Sequence, residues 1–192
     1  MRYAIRSILT SCIAEQVPRL SSAEQLRIRK EAPELDIEKM ASGWVLEWID
    51  MHTHMRLSDA IRAAVGPEGN VDYWDRAMRR VITTGFYANL LRTTVRIYGT
   101  TPLAYFKVFS RGADYATRNI GHVALLDHSS EHATMELYDF PADEFSFPCY
   151  VEGIQGCLNA AYPVLEVAGE VALLELEEAV GRARYRCSWT LP

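Results

Sequence analysis

The sequence predicts an α+β domain with a helical N-terminal part, residues 1–118, packed on a four-stranded antiparallel sheet formed by residues 119–192. Two observations support this fold class. Apolar residues recur at helical spacing up to Asn119, and after it they alternate in the manner of strands. The C-terminal part then reads as a β-hairpin, a helix and a second β-hairpin, which leaves one sheet face for the helices to cover. The chain has 192 residues, 49% of them hydrophobic, which suits a single domain with a substantial core.

Five positions in the N-terminal part carry helix-start signals, because Ser, Thr, Asp and Asn side chains accept hydrogen bonds from the free N–H groups of a first turn. The predicted N-caps are Ser21, Asp36, Ser58, Asn70 and Thr101. Glu24 completes a capping box with Ser21, and Pro102 follows Thr101 at the first helical position. These signals predict a series of helices up to about Gly112. The helix after Ser58 is short, and the one after Asn70 is longer, with an apolar stripe of Tyr73, Trp74, Met78 and Ile82.

Two of these helices carry further predictions. The helix after Asp36 is expected to place three large side chains on one face, namely Met40, Trp44 and Trp48. The helix after Ser58 is expected to end at Gly66–Pro67, because Gly favours a helix end and Pro cannot continue one.

The C-terminal part begins with a hairpin of residues 122–127 and 133–140, followed by a helix of residues 150–162. Residues 171–189, VALLELEEAVGRARYRCSW, then change from an acidic stretch to alternating arginines. With Val180–Gly181 as the turn, the predicted cross-strand ion pairs are Glu177 with Arg184 and Glu175 with Arg186. A four-residue loop in the same register is the alternative, because Val is not ideal in a two-residue turn. The same register turns a set of apolar side chains toward the helices: Leu174, Leu176, Tyr185, Cys187 and Trp189. The charge change therefore indicates a hairpin with one solvated face.

Composition argues against several classes of function. Residues 121–180 contain twelve Asp and Glu and no Lys or Arg, a distribution that disfavours nucleic-acid binding. The four cysteines lack metal-finger or redox spacing, so reduced thiols in a cytoplasmic protein are expected. No apolar run is long enough to span a bilayer, and no nucleophile or phosphate-loop motif is present. We therefore expect a non-enzymatic protein with no catalytic residues.

The histidines do not predict a metal site. His128 and His132 lie in a polar turn between two strands, and His52 and His54 lie between two predicted helices. We expect all four to be solvated, because a zinc site needs three or four convergent ligands. The sequence therefore predicts neither a metal nor another cofactor.

The best candidate for a binding site is the segment of residues 85–109, which mixes aromatic and basic side chains. Arg92 and Arg96 are four residues apart and share one helical face. With the inner face of the last hairpin, this segment predicts an apolar pocket with a cationic rim, suited to an amphiphilic acid. The predicted ligand-binding residues are Phe86, Leu90, Arg92, Arg96, Tyr105, Phe109, Tyr185 and Trp189. Alternatively, the aromatic residues fill the core and the basic ones lie on the surface.

The C-terminal seventy residues also carry the features of a known superfamily. These are a strand start at residues 119–123, a helix with Gly153 and Gly156, and a last hairpin that closes in Cys187-Ser188-Trp189. This part resembles the 4-vinyl-reductase-like domain, which shares a superfamily with haem–nitric-oxide-binding domains and TRAPP-type vesicle-tethering subunits. The whole chain resembles a family of bacterial paralogues of similar length. The resemblance implies small-molecule or lipid binding between helices and sheet, often with dimerisation.

The residues depart from the haem- and metal-binding members of that superfamily. Haem–nitric-oxide-binding domains use a helix histidine and a Tyr-x-Ser-x-Arg strand, whereas the nearest strand here reads Tyr-Arg-Cys-Ser-Trp at residues 185–189. Some 4-vinyl-reductase-like domains pair a cysteine of the penultimate strand with the last one at a metal. That strand carries Glu175, Glu177 and Glu178 in this chain.

These observations leave three functions open. The first is a non-enzymatic sensory or adaptor module that binds a small apolar or amphiphilic ligand. The second is a protein–protein interaction or dimerisation module without a ligand. The third is a haem- or metal-dependent sensor. The expected partners are a small amphiphilic ligand and a second copy or another protein, with no nucleic acid and no membrane span.

Overall fold

The computed structural model describes residues 2–42, 47–83, 88, 89, 93 and 101–190. Within them, helices cover one face of a four-stranded antiparallel sheet, so the predicted α+β fold class is confirmed. The helices are α1 (Ser7–Ala14), α2 (Ser22–Glu31), α3 (Ile37–Ala41), α4 (Met51–Thr83), α5 (Pro102–Ala116), α6 (Phe147–Asn159) and α7 (Ala161–Leu165). The strands are β1 (Ala4–Arg6), β2 (Trp48–Asp50), β3 (Thr117–Arg118), β4 (His122–His128), β5 (His132–Tyr138), β6 (Ala168–Glu177) and β7 (Arg182–Thr190).

The main sheet has the strand order β4-β5-β7-β6, and every neighbouring pair in it is antiparallel. It contains both predicted hairpins, with the predicted helix between them as α6. A second sheet, of order β2-β1-β3, joins the N-terminus to the end of α5. The sequence analysis did not predict this sheet, because strands of two or three residues are too short to show an alternating pattern.

Three of the five predicted N-caps are confirmed. The side chains of Ser21, Asp36 and Thr101 each accept a hydrogen bond from a backbone N–H of the first helical turn. The helix after Asp36 ends at Ala41, however, so the expectation that it reaches Trp48 is wrong. Trp48 lies in β2, where the guanidinium groups of Arg6 and Arg118 stack on its ring at 3.9 and 4.0 Å from the centroid. Trp44 lies outside the described residues.

The long helix α4 contradicts the other two predicted caps. It begins at Met51, so Ser58 and Asn70 both lie inside it. The Ser58 hydroxyl donates to the carbonyl of His54 at 3.0 Å, and the Asn70 amide donates to Glu152 of α6 at 3.0 Å. Each side chain thus bonds to a group other than the free N–H groups of a first helical turn. The predicted break at Gly66–Pro67 appears as a kink, where Gly66 has a φ of 78°.

The final hairpin has a different register from the predicted one. Residues 178–181 form the loop, so Glu175 lies opposite Arg184 and Glu177 opposite Arg182. A bulge after Leu173 shifts the rest of β6 by one further residue. The register differs because the loop is centred between Ala179 and Val180 rather than between Val180 and Gly181, so the four-residue loop does not keep the predicted register. Acidic and basic residues still pair, since Glu175 lies 3.0 Å from Arg184.

Only one strand of this hairpin presents the predicted inner face. On β7, Tyr185, Cys187 and Trp189 are buried against the helices. On β6, Leu174 and Leu176 are 52% and 40% exposed, so their predicted contact with the helices is wrong. The strand β6 lies at the edge of the sheet, and the bulge changes which of its residues face inward.

Candidate functional site

A cavity of about 110 Å³ lies among the helices, between the N-terminal segment and the layer that covers the sheet. Its walls come from β1, α1, both halves of α4, α5 and α6, and they are almost entirely apolar. The aliphatic and thioether side chains around it include Ile5, Leu9, Met55, Met78, Val81, Ile82, Val108 and Ile154. The composition is that of a site for a small hydrophobic molecule.

The two halves of α4 contribute different side chains to the cavity. The second half presents Trp74, Met78, Val81 and Ile82 at spacings of three and four residues, which puts them on one helical face. The first half presents His54, Met55 and Ser58 by the same rule. The kink at Gly66 lies between these two groups.

The helix α5 lines the cavity with aromatic residues near its start and small residues near its end. Tyr105 and Phe109 stack with their ring centroids 6.0 Å apart, and Gly112, Ala113 and Ala116 follow on the same face. The Tyr105 hydroxyl donates to the carbonyl of Cys157 at 2.7 Å. Burial raises the pKa of Tyr105 well above its usual value. Tyr105 therefore braces α5 against α6 as a neutral phenol.

Two cysteines of α6, Cys149 and Cys157, also line the cavity. Burial raises the pKa of both thiols well above the ordinary value, so they stay protonated at neutral pH. A protonated, buried thiol behaves as a small apolar group and not as a metal ligand. Within the described parts of the chain, no group of three or more His, Cys, Asp or Glu is placed to hold a metal ion.

Among the described residues that line the cavity, two side chains of α4 carry a buried nitrogen without a hydrogen-bond partner, and the lining also includes the hydroxyl-bearing Ser58, Tyr105, Thr117 and Tyr150. His54 is fully buried, and its Nδ1 is 2.8 Å from the hydroxyl of Thr10, while its Nε2 has no hydrogen-bond partner among the described residues. The indole Nε1 of Trp74 is likewise buried without a partner in the described part of the chain. Burial lowers the pKa of His54 to about 3, so its imidazole is neutral. The prediction that His54 is solvated is therefore wrong.

Of the four predicted ligand-binding residues that lie in the described part of the chain, Tyr105 and Phe109 line the cavity. Tyr185 and Trp189 do not line it; the Tyr185 hydroxyl donates to the carbonyl of Val151, and Trp189 packs against Phe106. The remaining four lie outside the described residues: Phe86, Leu90, Arg92 and Arg96.

His54 and Trp74 are not among the site residues that the sequence predicted. Trp74 was recognised only as part of an apolar helical stripe. His54 was placed between helices because Ser58 was interpreted as a cap. A helix started at Met51 would have put His54 and Met55 on the stripe that continues to Ser58 and Ile61. The available signal was therefore the helical spacing before Ser58.

A second, more open groove of about 390 Å³ lies beside the first half of α4. It is larger in volume, but its lining is charged and partly paired. Arg56 donates to Glu34 at 2.9 Å, and Asp59 has a pKa raised by burial. The helix-bounded cavity is the better candidate site, because it is less open to solvent and its apolar walls exclude water from a small ligand more effectively.

Comparisons with known proteins relate the fold to one group of structures. No protein-family model matches the sequence, and no curated protein matches it. Among solved structures, the chain is similar to the Cs H-NOX carrying 4-cyano-L-phenylalanine, with a TM-score of 0.64, 13% identity and 98% of each chain covered. It is also similar to the Fe(II) unliganded H-NOX protein from K. algicida, with a TM-score of 0.61, 12% identity and 98% of each chain covered.

A third similar structure is the I5F variant of the T. tengcongensis H-NOX, with a TM-score of 0.59 and 13% identity over 98% of this chain and 99% of that one. Coverage of nearly the whole of both chains shows that the similarity includes the N-terminal helices as well as the sheet. The haem–nitric-oxide-binding part of the predicted superfamily resemblance is thereby supported at the level of structure. The chain has the fold of H-NOX proteins.

Proposed function

We propose that this chain is a sensory module in which the cavity between α1, α4, α5 and α6 binds a small, neutral and predominantly apolar molecule. The observation that carries the proposal is the cavity itself, about 110 Å³ of apolar space inside the helical part. Protein interiors are packed with few voids larger than a water molecule. A void of this size at the junction of four helices is therefore suited to an occupant.

The size and lining of the cavity define the occupant. An engineered apolar cavity of about 150 Å³ in another protein stays dry and binds benzene, so a space of about 110 Å³ suits a molecule of similar or slightly smaller size. The described part of the lining contains no Lys or Arg. This supports a neutral ligand over the amphiphilic acid that the sequence predicted.

A haem-dependent sensor is the second candidate, and the fold comparison supports it better than it supports an amphiphilic ligand. The similar structures include an Fe(II) H-NOX protein and an H-NOX structure described as probing the function of haem distortion in that family. This chain's residues do not fit haem. The helix α5 has no histidine, and His54 of α4 is the one among the five histidines that lines the cavity. The cavity volume is also well below the roughly 300–1,000 Å³ of sites for larger ligands.

Benzene is the probe that tests the proposed function, by calorimetry or by NMR titration of the whole chain. We expect saturable binding to the native protein and loss of binding in Ala113→Leu, because the larger side chain occupies the cavity. Arg111→Leu is the matched control: it adds the same side chain to an exposed position of the same helix and should leave binding intact. Absence of benzene binding, or equal binding in Ala113→Leu, would contradict the proposal.

Haemin titration separates the two candidates. We expect no stoichiometric Soret band with the native chain. A stoichiometric band that shifts when His54 is replaced by Gln would favour the haem-dependent sensor instead, because the replacement removes the one imidazole nitrogen available in the cavity.

A further inference from the structure

The two unpartnered polar atoms of the cavity are close neighbours. The rings of His54 and Trp74 lie with their centroids 5.5 Å apart, on the two halves of α4. Both side chains are more than nine-tenths buried, and both line the cavity. The two rings therefore border the same small space, and each carries a nitrogen without a partner in the described part of the chain.

Each ring is held in place by a contact with a neighbouring helix. The hydroxyl of Thr10 fixes the His54 imidazole through Nδ1 at 2.8 Å. Gly153 of α6 makes room for the indole of Trp74, since a Cβ there would lie 3.2 Å from both Cε2 and Nε1. The two nitrogens are therefore presented by rigid rings and are not the ends of flexible side chains.

Leaving both nitrogens unpaired is energetically costly. A buried donor or acceptor without a partner loses its hydrogen bonds to water and gains none in return, and buried polar groups in native proteins are rarely left so. Two such atoms on neighbouring rings of one cavity point to a polar atom of an occupant, because the hydroxyl groups of Ser58, Tyr105 and Thr117 in the same lining already donate to backbone carbonyls.

We infer that the His54–Trp74 pair recognises the single hydroxyl group of a small, otherwise apolar molecule. This inference rests on the proposed function and adds the class of ligand to it: a neutral alcohol or phenol of about benzene size. A hydroxyl oxygen accepts a hydrogen bond from the indole N–H, which can only donate. The same hydroxyl then donates to, or accepts from, Nε2 of His54 according to the tautomer that Thr10 sets.

Charged ligands fit the same pair poorly. The described lining offers no charged side chain to neutralise a carboxylate or an ammonium group, and an unpaired ion in such an environment carries a large desolvation cost. Purely apolar molecules leave both nitrogens unpaired. A neutral hydroxyl compound satisfies both conditions at once.

Toluene and phenol form the test pair, because they have nearly the same shape and differ in a methyl or a hydroxyl group. We expect the native chain to bind phenol at least about tenfold more tightly than toluene, since sites with buried polar groups reject analogues that lack the matching group. In His54→Leu and in Trp74→Phe, the preference should disappear through weaker phenol binding, while toluene binding is kept.

The outcomes distinguish this inference from the proposed function. If neither probe binds, the proposed function fails and this inference fails with it. If both bind equally, or if phenol is preferred equally in both variants, the cavity binds ligands but the His54–Trp74 pair does not select them. In the native chain, the indole N–H signal of Trp74 should move with phenol and not with toluene. An identical response to both probes, as expected if the pair holds only water, would overturn the inference without any variant.

Discussion

The helices α4 and α6 pack against each other at two very different densities. Around Gly156 the two backbones touch: a Cβ there would lie 2.4 Å from the carbonyl oxygen of Val71 and 2.9 Å from the amide of Asp75. One helical turn earlier, at Gly153, α6 faces the indole of Trp74 and the same two helices border the cavity. The cavity is thus adjacent to one of the tightest contacts in the described structure.

The cavity therefore does not result from loose packing between α4 and α6. The tight contact holds α4 and α6 at a fixed separation, and Arg62 of α4 adds a bidentate ion pair to Glu152 of α6. With the helices held apart by their own backbones, large side chains cannot close the remaining space. A rigid contact between two helices beside a cavity is the arrangement that a preformed binding site requires.

The largest expected effect comes from a substitution at the tight contact between α4 and α6. Gly156→Ala should lower the free energy of unfolding by about 2–3 kcal/mol, because overpacking a backbone contact costs more than the gain in helix propensity. Urea denaturation measures the change. An unchanged or increased stability would mean that α4 and α6 are farther apart than the structure shows.

The pH dependence of stability tests the burial of His54 beside the cavity. His54 has a folded-state pKa of about 3, below its unfolded value of about 6.5. Between these values the unfolded chain binds a proton that the folded chain does not, so stability is lost as the pH falls below about 6.5. By pH 5 the loss due to His54 should reach about 2 kcal/mol.

The matched variant for this measurement is His54→Gln, which keeps a polar side chain near Thr10 but does not titrate. The difference in stability between pH 7 and pH 5 should be smaller in the variant than in the native chain by about the same 2 kcal/mol. Equal pH dependence in the two proteins would show that the imidazole is hydrated, and hence that the cavity is wet.

The smallest expected effect comes from a substitution at Gly112, a second glycine that lines the cavity. Gly112 of α5 has no atom within 4 Å of the position where a Cβ would stand. Gly112→Ala should therefore raise the free energy of unfolding by about 0.5–1 kcal/mol, as expected for Ala in place of Gly inside a helix. A destabilised Gly112→Ala protein, measured beside Gly156→Ala, would show that the cavity is filled by its own side chains.

The sequence predicted the fold best where local signals were strong. The capping box at Ser21 and Glu24, the Thr101–Pro102 start and the alternation along β7 all appear in the structure. Predictions failed where several local interpretations were equally good. Ser58 and Asn70 have cap-forming side chains, but tertiary contacts gave each of them another partner.

Prediction of the site was less complete for a physical reason. Tyr105 and Phe109 both line the cavity, because an aromatic pair at i and i+4 shares one helical face. His54 was missed because its burial depends on Thr10, a residue 44 positions away. No local pattern shows which nitrogen of a histidine finds a partner and which does not.

The fold class and the order of the two hairpins followed from the sequence alone, because they depend on periodicities of two and 3.6 residues. The pairing of acidic with basic strand residues followed from the alternation of charges along the last hairpin. Only the tertiary structure decided the register of the last hairpin, the burial of His54 and the existence of the cavity. Each of these depends on distances between segments far apart in the chain, such as the contact of Gly156 with Val71. Such distances are set by the packing of the whole core.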